Sequence, residues 1–283
     1  MAVALFAFAS LLARLGGQAT GEQAPLHPAQ LASGRFFFAW LTIALVALLF
    51  PLSFREVPWL LHLKRSVFGW LGILFLFAAA LELPLAEANA IGYLSGIVTL
   101  ALSAPMLGER VGPRRWSAAT LALVGGLLIA KPGTSAFDPA ALLALLAALF
   151  IGIESIFIKR LSALEPPLRI LFMNNTFGTL VSLSVLPFFW HLPSAGQWGI
   201  LGGIGVIIAA TQFFNILAFQ RDDASFIAPF WYFVPVFAAV YDYLWFGTLI
   251  DRWSTLGIAL IIFGGIVIAS RWRQKSVTYP GRS

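Results

Sequence analysis

The sequence contains no cysteine, which excludes a disulfide scaffold, thiolate metal sites and a cysteine nucleophile, and says nothing of compartment. Charge is also scarce: 11% of the 283 residues are Asp, Glu, Lys or Arg, against about 25% in soluble domains. The three histidines, His27, His62 and His191, fall in the gaps between apolar runs, and no His-Glu-x-x-His pattern occurs, so no metal site is predicted. No Gly-rich run ends in Lys and Ser or Thr, so nothing cradles a nucleotide phosphate. What fills the chain is apolar: 60% hydrophobic residues and a mean hydropathy of +0.89, spread along the whole length. That leaves no room for a sizeable soluble domain and places the chain in a lipid bilayer.

Apolar runs at about 2–14, 35–52, 66–85, 88–107, 115–130, 139–158, 168–189, 197–219, 224–247 and 253–270 predict ten membrane spans. The first run is short where about 20 residues are needed, so it spans incompletely or the start of the chain is truncated. It has no basic residue before Arg14, opposite to a secretory signal. With the N-terminus cytoplasmic, the inner connections and the C-terminus should collect Lys and Arg. Arg55, Lys64, Arg65, Arg110, Arg114, Arg115, Lys159, Arg160, Arg169, Arg221, Arg271, Arg273, Lys275 and Arg282 do so, 14 of the 18 basic residues. Both termini are therefore expected in the cytoplasm. The net charge of +6 is explained by this clustering, and no nucleic-acid partner is implied.

The chain also resembles itself. Gly108 maps on Gly247, and Gly125-Gly126 on Gly264-Gly265, at one offset of 139 residues. The same step takes Pro28 and Arg35 to Pro167 and Asn174. Residues 1–133 and 134–272 each hold five predicted helices, followed by a tail at 273–283. An odd number inserts the second copy upside down, the inverted-repeat plan of secondary transporters. The fold expected is an all-α membrane protein of ten transmembrane helices in two inverted five-helix repeats.

The segment Leu83-Pro84-Leu85-Ala86-Glu87-Ala88 running into Leu107-Gly108-Glu109-Arg110, with its echo Ala224-Ser225-Phe226-Ile227-Ala228-Pro229 running to Phe246-Gly247, resembles the paired EamA domains of the drug/metabolite transporter superfamily. The resemblance covers nearly the whole chain. It implies that helices 1–4 and 6–9 line a central cavity, that helices 5 and 10 lie at the periphery, and that the solute is a small metabolite. The echo departs at Thr248, where the first copy has Glu109, so that Glu is not assigned a shared role.

Polar residues at bilayer depth need a reason. Glu154 is either a coupling carboxylate facing the cavity or a side chain snorkelling to Lys159-Arg160. Asp242 shares a helix face with Trp231, Pro235 and Ala238, and is either a second coupling group or an interfacial residue. Pro235 is expected to kink its helix. Asn89, Tyr93, Gly96 and Ser103 give the repeat mate a similar stripe, with Gly92 and Gly96 alternatively a packing seam. Arg35 opens the second helix, where an anionic solute group or lipid headgroups could hold it; the superfamily resemblance favours the former. Asn174, and the pair Gln212 and Asn215, bind solute or stitch helices together. Trp231 and Tyr232 could stack on a planar solute or a cation. Glu82 and Glu87 are expected to be solvated.

The function expected is a secondary transporter of a small organic metabolite in the cytoplasmic (inner) membrane, working by alternating access, proton-coupled through Glu154 and Asp242, with no cofactor and no metal. A homodimer through helices 5 and 10 could use their Gly-Gly pairs. A non-transporting assembly subunit and a channel are the competing readings. An intramembrane aspartyl enzyme is the best enzyme rival, but the second Asp that its chemistry requires at the depth of Asp242 is missing.

Overall fold

The computed structural model describes residues 2–18, 24–54, 56–92, 94–109, 111–130, 138–222, 227–247 and 251–269, and of these the side chains of 86, 114, 122, 126, 129, 130, 228, 229, 232, 235 and 267–269 are left aside. The described residues are helical and contain no strand. In order they form α1 (Ala2–Gly16), α2 (Pro28–Leu49), α3 (Trp59–Glu82), α4 (Leu85–Gly92), α5 (Ser95–Leu107), α6 (Pro113–Ala130), α7 (Ala140–Ser162), α8 (Pro167–Val185), α9 (Ala195–Arg221), α10 (Val234–Phe246) and α11 (Arg252–Ala269). Short 3-10 turns at Leu186–Phe188 and Ala228–Phe233 follow α8 and precede α10. Six of the described helices, α4 and α5 counted as one, are long and apolar enough to cross a membrane, and α1, α10 and α11 are shorter apolar helices. The tail at 273–283, the proposed boundary near 133, and Arg55, Arg110, Lys131, Arg271, Arg273, Lys275 and Arg282 lie outside the described residues.

Two expected boundaries move, and both matter to the site. The helix expected from residue 35 begins at Pro28, where proline loses no hydrogen bond and His27 Nδ1 accepts from the Ala29 amide. Arg35 therefore lies two turns inside α2, not at its opening. The helix expected from residue 66 begins at Trp59, which draws His62, Lys64 and Arg65 out of the predicted loop and into α3. The expected fourth span breaks into α4 and α5. Pro235 falls in the first turn of α10, just after the 3-10 turn, where its missing N–H needs no partner; the irregularity lies ahead of the proline rather than within the α-helix.

Packing pairs the helices in matching sets. α1 rests on α9 as α7 rests on α3; α2 rests on α9 as α8 rests on α3; and α6 pairs with α11. Glycines set the closest approaches. A Cβ on Gly72 would lie 2.7 Å from Ile151 of α7, and one on Gly152 would lie 2.8 Å from the Ser95 carbonyl of α5. On α6 and α11, a Cβ at Gly125 would meet the Gly257 carbonyl at 2.5 Å, and one at Gly264 the Ala118 carbonyl at 2.8 Å. Gly125 and Gly264 are thus used within one chain, and a dimer through these helices would have to use other faces. Gly108 and Gly247 end α5 and α10 in the left-handed conformation, at φ 71° and 62°, which only glycine adopts without strain.

The two ends of the bundle are stitched differently. At one, capping boxes start α2 and α9: Gln30 reaches back to the His27 amide and Gln197 to that of Ser194. Each glutamine also donates across to the other loop, Gln30 to the His191 carbonyl at 2.7 Å and Gln197 to the Ala24 carbonyl at 2.8 Å. His27 stacks on Phe189 at 4.3 Å. At the other end, Lys159 donates to the carbonyls of Phe219 and Asp222, which closes the C-terminus of α9. There His62 and Glu165 meet at 2.8 Å, both buried.

Candidate functional site

A cavity lies inside the bundle; its empty space, counting the open side, is about 710 Å3. Phe6 of α1, Arg35 of α2 and Ile73 of α3 line it, with Ser95, Gly96 and Thr99 of α5, and Ile151, Glu154, Ser155 and Ile158 of α7. Thr211, Gln212, Asn215 and Phe219 of α9 and Trp231 of the 3-10 turn complete the wall. Among the described residues, none of α6, α8 or α11 lines it. The hydroxyls of Thr99, Ser155 and Thr211 each bond a carbonyl one turn back in their own helix, which is how such residues sit in apolar surroundings.

The charged part of the site comes from three helices. Glu154 is 8% exposed, and Arg65 of α3 stands 3.8 Å from its carboxylate. Arg65 also donates to the Ile170 carbonyl at 3.3 Å. Gly69, one turn along α3, makes room for this pair: a Cβ there would lie 2.7 Å from both Cδ and Oε1 of Glu154. Glu154 thus turns to Arg65 rather than to Lys159-Arg160. Arg35 is 3% exposed, its guanidinium lies 4.4 Å from the Phe36 ring, and its Nε and Nη1 have no hydrogen-bond partner among the described residues. The aromatic wall is fixed as well. The Trp231 indole N–H donates to Asn215 Oδ1 at 3.2 Å, and Phe6 packs edge-on to its ring at 5.5 Å. Gln212 Oε1 is buried without a partner among the described residues.

Of the residues singled out from sequence, Arg35, Glu154, Gln212, Asn215 and Trp231 meet at this cavity, together with Gly96. Three others are elsewhere. Asn89 accepts from Ser10 of α1 at 3.5 Å and donates to the Leu85 carbonyl, tying α4 to α1. Asn174 accepts from Ser66 at 3.2 Å and ties α8 to α3. Asp242 is paired with Arg14 at 2.7 Å, which ties α10 to α1. Glu87 accepts from Ser254 at 2.7 Å, while Glu82 is exposed. Gly92 packs on Leu76. Tyr93 and the side chains of Tyr232 and Pro235 lie outside the described residues. Arg65 is the residue sequence reasoning missed: read as one of a basic loop pair with Lys64, it lies in the helix on the face that carries Gly69 and Gly72. That run of small residues at helical spacing marks a close neighbour and is the signal that could have found it.

An all-helical bundle of membrane-spanning length, around a cavity lined by Arg35 and Glu154 with Arg65 paired behind the carboxylate, defines a multi-pass membrane protein with an internal polar site. The chain belongs to the EamA-like transporter family, whose model matches residues 1–131 and again 138–270. It is 32% identical over 232 residues to the pseudopaline exporter CntI of Pseudomonas aeruginosa (strain UCBPP-PA14), covering 81% of this chain and 78% of that protein. It is 30% identical over 217 residues to a riboflavin transporter of Rhizobium johnstonii, covering 75% and 70%. It is 26% identical over 239 residues to an S-adenosylmethionine uptake transporter of Rickettsia prowazekii, covering 84% and 81%. A solved crystal structure shares the fold with a TM-score of 0.70 at 22% identity, over 96% of this chain and 99% of that one. The relatives are named as transporters, and the chain is a transporter-family protein rather than an enzyme.

Proposed function

We propose that this protein is a secondary transporter of a small organic metabolite, working by alternating access in a cytoplasmic membrane. Its ten spans would form two inverted five-helix repeats with both termini on the cytoplasmic side. The observation that carries this reading is the cavity itself, whose polar and charged side chains come from helices of both halves and are buried among apolar ones. The matching sets of helix contacts support the repeat, and relatives named for solutes as different as pseudopaline, riboflavin and S-adenosylmethionine support a small-metabolite cargo without fixing which one. Both an exporter and an uptake transporter stand among them, so direction is not inherited from the family. A proton taken up by Glu154 would release Arg65, which makes this carboxyl the coupling group of the reading; Asp242, held by Arg14, serves to tie α1 to α10.

The absence of cysteine supplies the test. Ser155→Cys places a lone thiol on the cavity wall. Alternating access predicts that a membrane-impermeant thiol reagent reaches it from either side of the membrane and that transported solute protects it. Reactivity from one side alone under every condition, or reporter fusions placing the two chain ends on opposite sides, would count against the reading.

A further inference from the structure

The charge class of the solute follows from the cavity's own charges, given that the cavity is the transport site proposed above. Two ionisable side chains line it, Arg35 and Glu154, and Arg65 stands behind Glu154 at 3.8 Å. Arg65 is ion-paired with Glu154 at that distance and donates from Nη1 to the Ile170 carbonyl, although its Nε and Nη2 have no hydrogen-bond partner among the described residues. Arg35 is not ion-paired: it is 3% exposed, its Nε and Nη1 find no hydrogen-bond partner, and no carboxylate lies within ion-pair distance of it among the described residues. It is close enough to feel both neighbours, attracted by Glu154 and repelled by Arg65. With Glu154 ionised the set carries one unbalanced positive charge in a largely desolvated space. Such a charge is costly unless something pairs with it.

The surroundings say what shape that partner has. Trp231 and Phe219 supply an aromatic wall, and the orphaned Gln212 Oε1 offers an acceptor and no charge. We propose that the solute is an organic monoanion whose carboxylate docks on Arg35, with its apolar or aromatic part against Trp231 and an N–H or O–H donating to Gln212 Oε1. A guanidinium suits a carboxylate because its planar donors match the two oxygens. One carboxylate neutralises the site. A second would face Glu154, which already occupies Arg65, so Glu154 is a selectivity residue that excludes dianions.

Binding to the purified full-length chain, followed by isothermal calorimetry at pH 7.5, tests this with matched probes. Indole-3-acetate should bind about tenfold or more tightly than indole-3-acetamide. Arg35→Gln should erase that preference while the protein still elutes as a folded species. Because Arg35→Gln could also weaken folding, Glu154→Gln provides an independent arm. It leaves two unbalanced positive charges and should shift preference from the monoanion phenylpropionate to the dianion phenylsuccinate. Amide binding as well as acid in the unaltered protein, binding of neither, or an unchanged phenylsuccinate preference in Glu154→Gln would overturn the assignment. Counterflow in proteoliposomes separates the two levels. Flux confined to neutral or cationic solutes would overturn the monoanion assignment and leave transport standing. Carboxylate-selective binding with no flux of any solute would support the assignment and count against transport.

Discussion

The guanidinium of Arg65 and the carboxylate of Glu154 face each other at 3.8 Å across the α3–α7 contact, with Gly69 leaving the space the carboxylate fills. Removing one partner leaves the other charge buried and unpaired. Glu154→Ala should therefore lower unfolding free energy by about 3 to 5 kcal/mol, whereas replacing both together with apolar residues of similar volume, Arg65→Met with Glu154→Leu, should restore most of it. Thermal unfolding in mild detergent measures both. A Glu154→Ala protein that melts like the parent would show that the pair is not buried as described.

Gly69→Ala tests the space directly. The added methyl would stand 2.7 Å from Glu154 Cδ, so the carboxylate must retreat, at a cost of about 1 to 3 kcal/mol from overpacking. Gly199→Ala on α9 meets nothing within 4 Å and should be neutral or slightly stabilising, since alanine favours the helix. Comparing the two melting temperatures checks it; equal behaviour would contradict the close α3–α7 approach.

Arg14 and Asp242 should act as a structural tie. A double-mutant cycle of Arg14→Leu and Asp242→Asn should give a coupling of about 1 to 3 kcal/mol, since Asp242 is 1% exposed and Arg14 14%. Asp242→Asn should leave the pH dependence of transport in place, while Glu154→Gln should abolish it. The reverse pattern in flux assays would reassign coupling to Asp242.

His27 gives a pH dependence at the edge of the bundle. His27 is exposed, and its partial desolvation, then the neighbouring His191, hold its pKa below the ordinary value near 6.5. The neutral ring is the form that caps α2, since Nδ1 must accept from the Ala29 amide. A lowered folded pKa means the stabilisation is complete above 6.5 and is lost as pH falls toward the folded value. Melting temperature should therefore drop below pH 6.5, and His27→Asn, which keeps a capping acceptor, should flatten that drop. An unchanged profile in the variant would dismiss the cap as its source.

The sequence made the helical membrane architecture legible because apolar runs and Pro or Gly breaks carry that information locally. Arg35, Glu154, Gln212, Asn215 and Trp231 were also legible, since a polar or charged group within an apolar run has few places to go. Asn89, Asn174 and Asp242 met the same criterion and turned out to hold helices together, because hydrogen bonding between helices and binding a solute ask for the same residue types. Arg65 was hidden by its neighbour. Lys64 and Arg65 read as one basic cluster, yet consecutive helix positions point about 100° apart, and Lys64 is exposed where Arg65 is 0% exposed. The hydroxyls of Ser155 and Thr99 left no trace in the pattern, because each is satisfied within its own helix.

Solute counterflow in proteoliposomes reconstituted with the intact chain tests the central claim most directly. Screened across a metabolite panel with and without an imposed proton gradient, at least one compound should show saturable uptake that accelerates when the same compound is preloaded inside, and Trp231→Ala, still folded, should lose it. Uptake of no compound, or flux that rises linearly with concentration and ignores preloading, would contradict a cavity that opens alternately to the two sides.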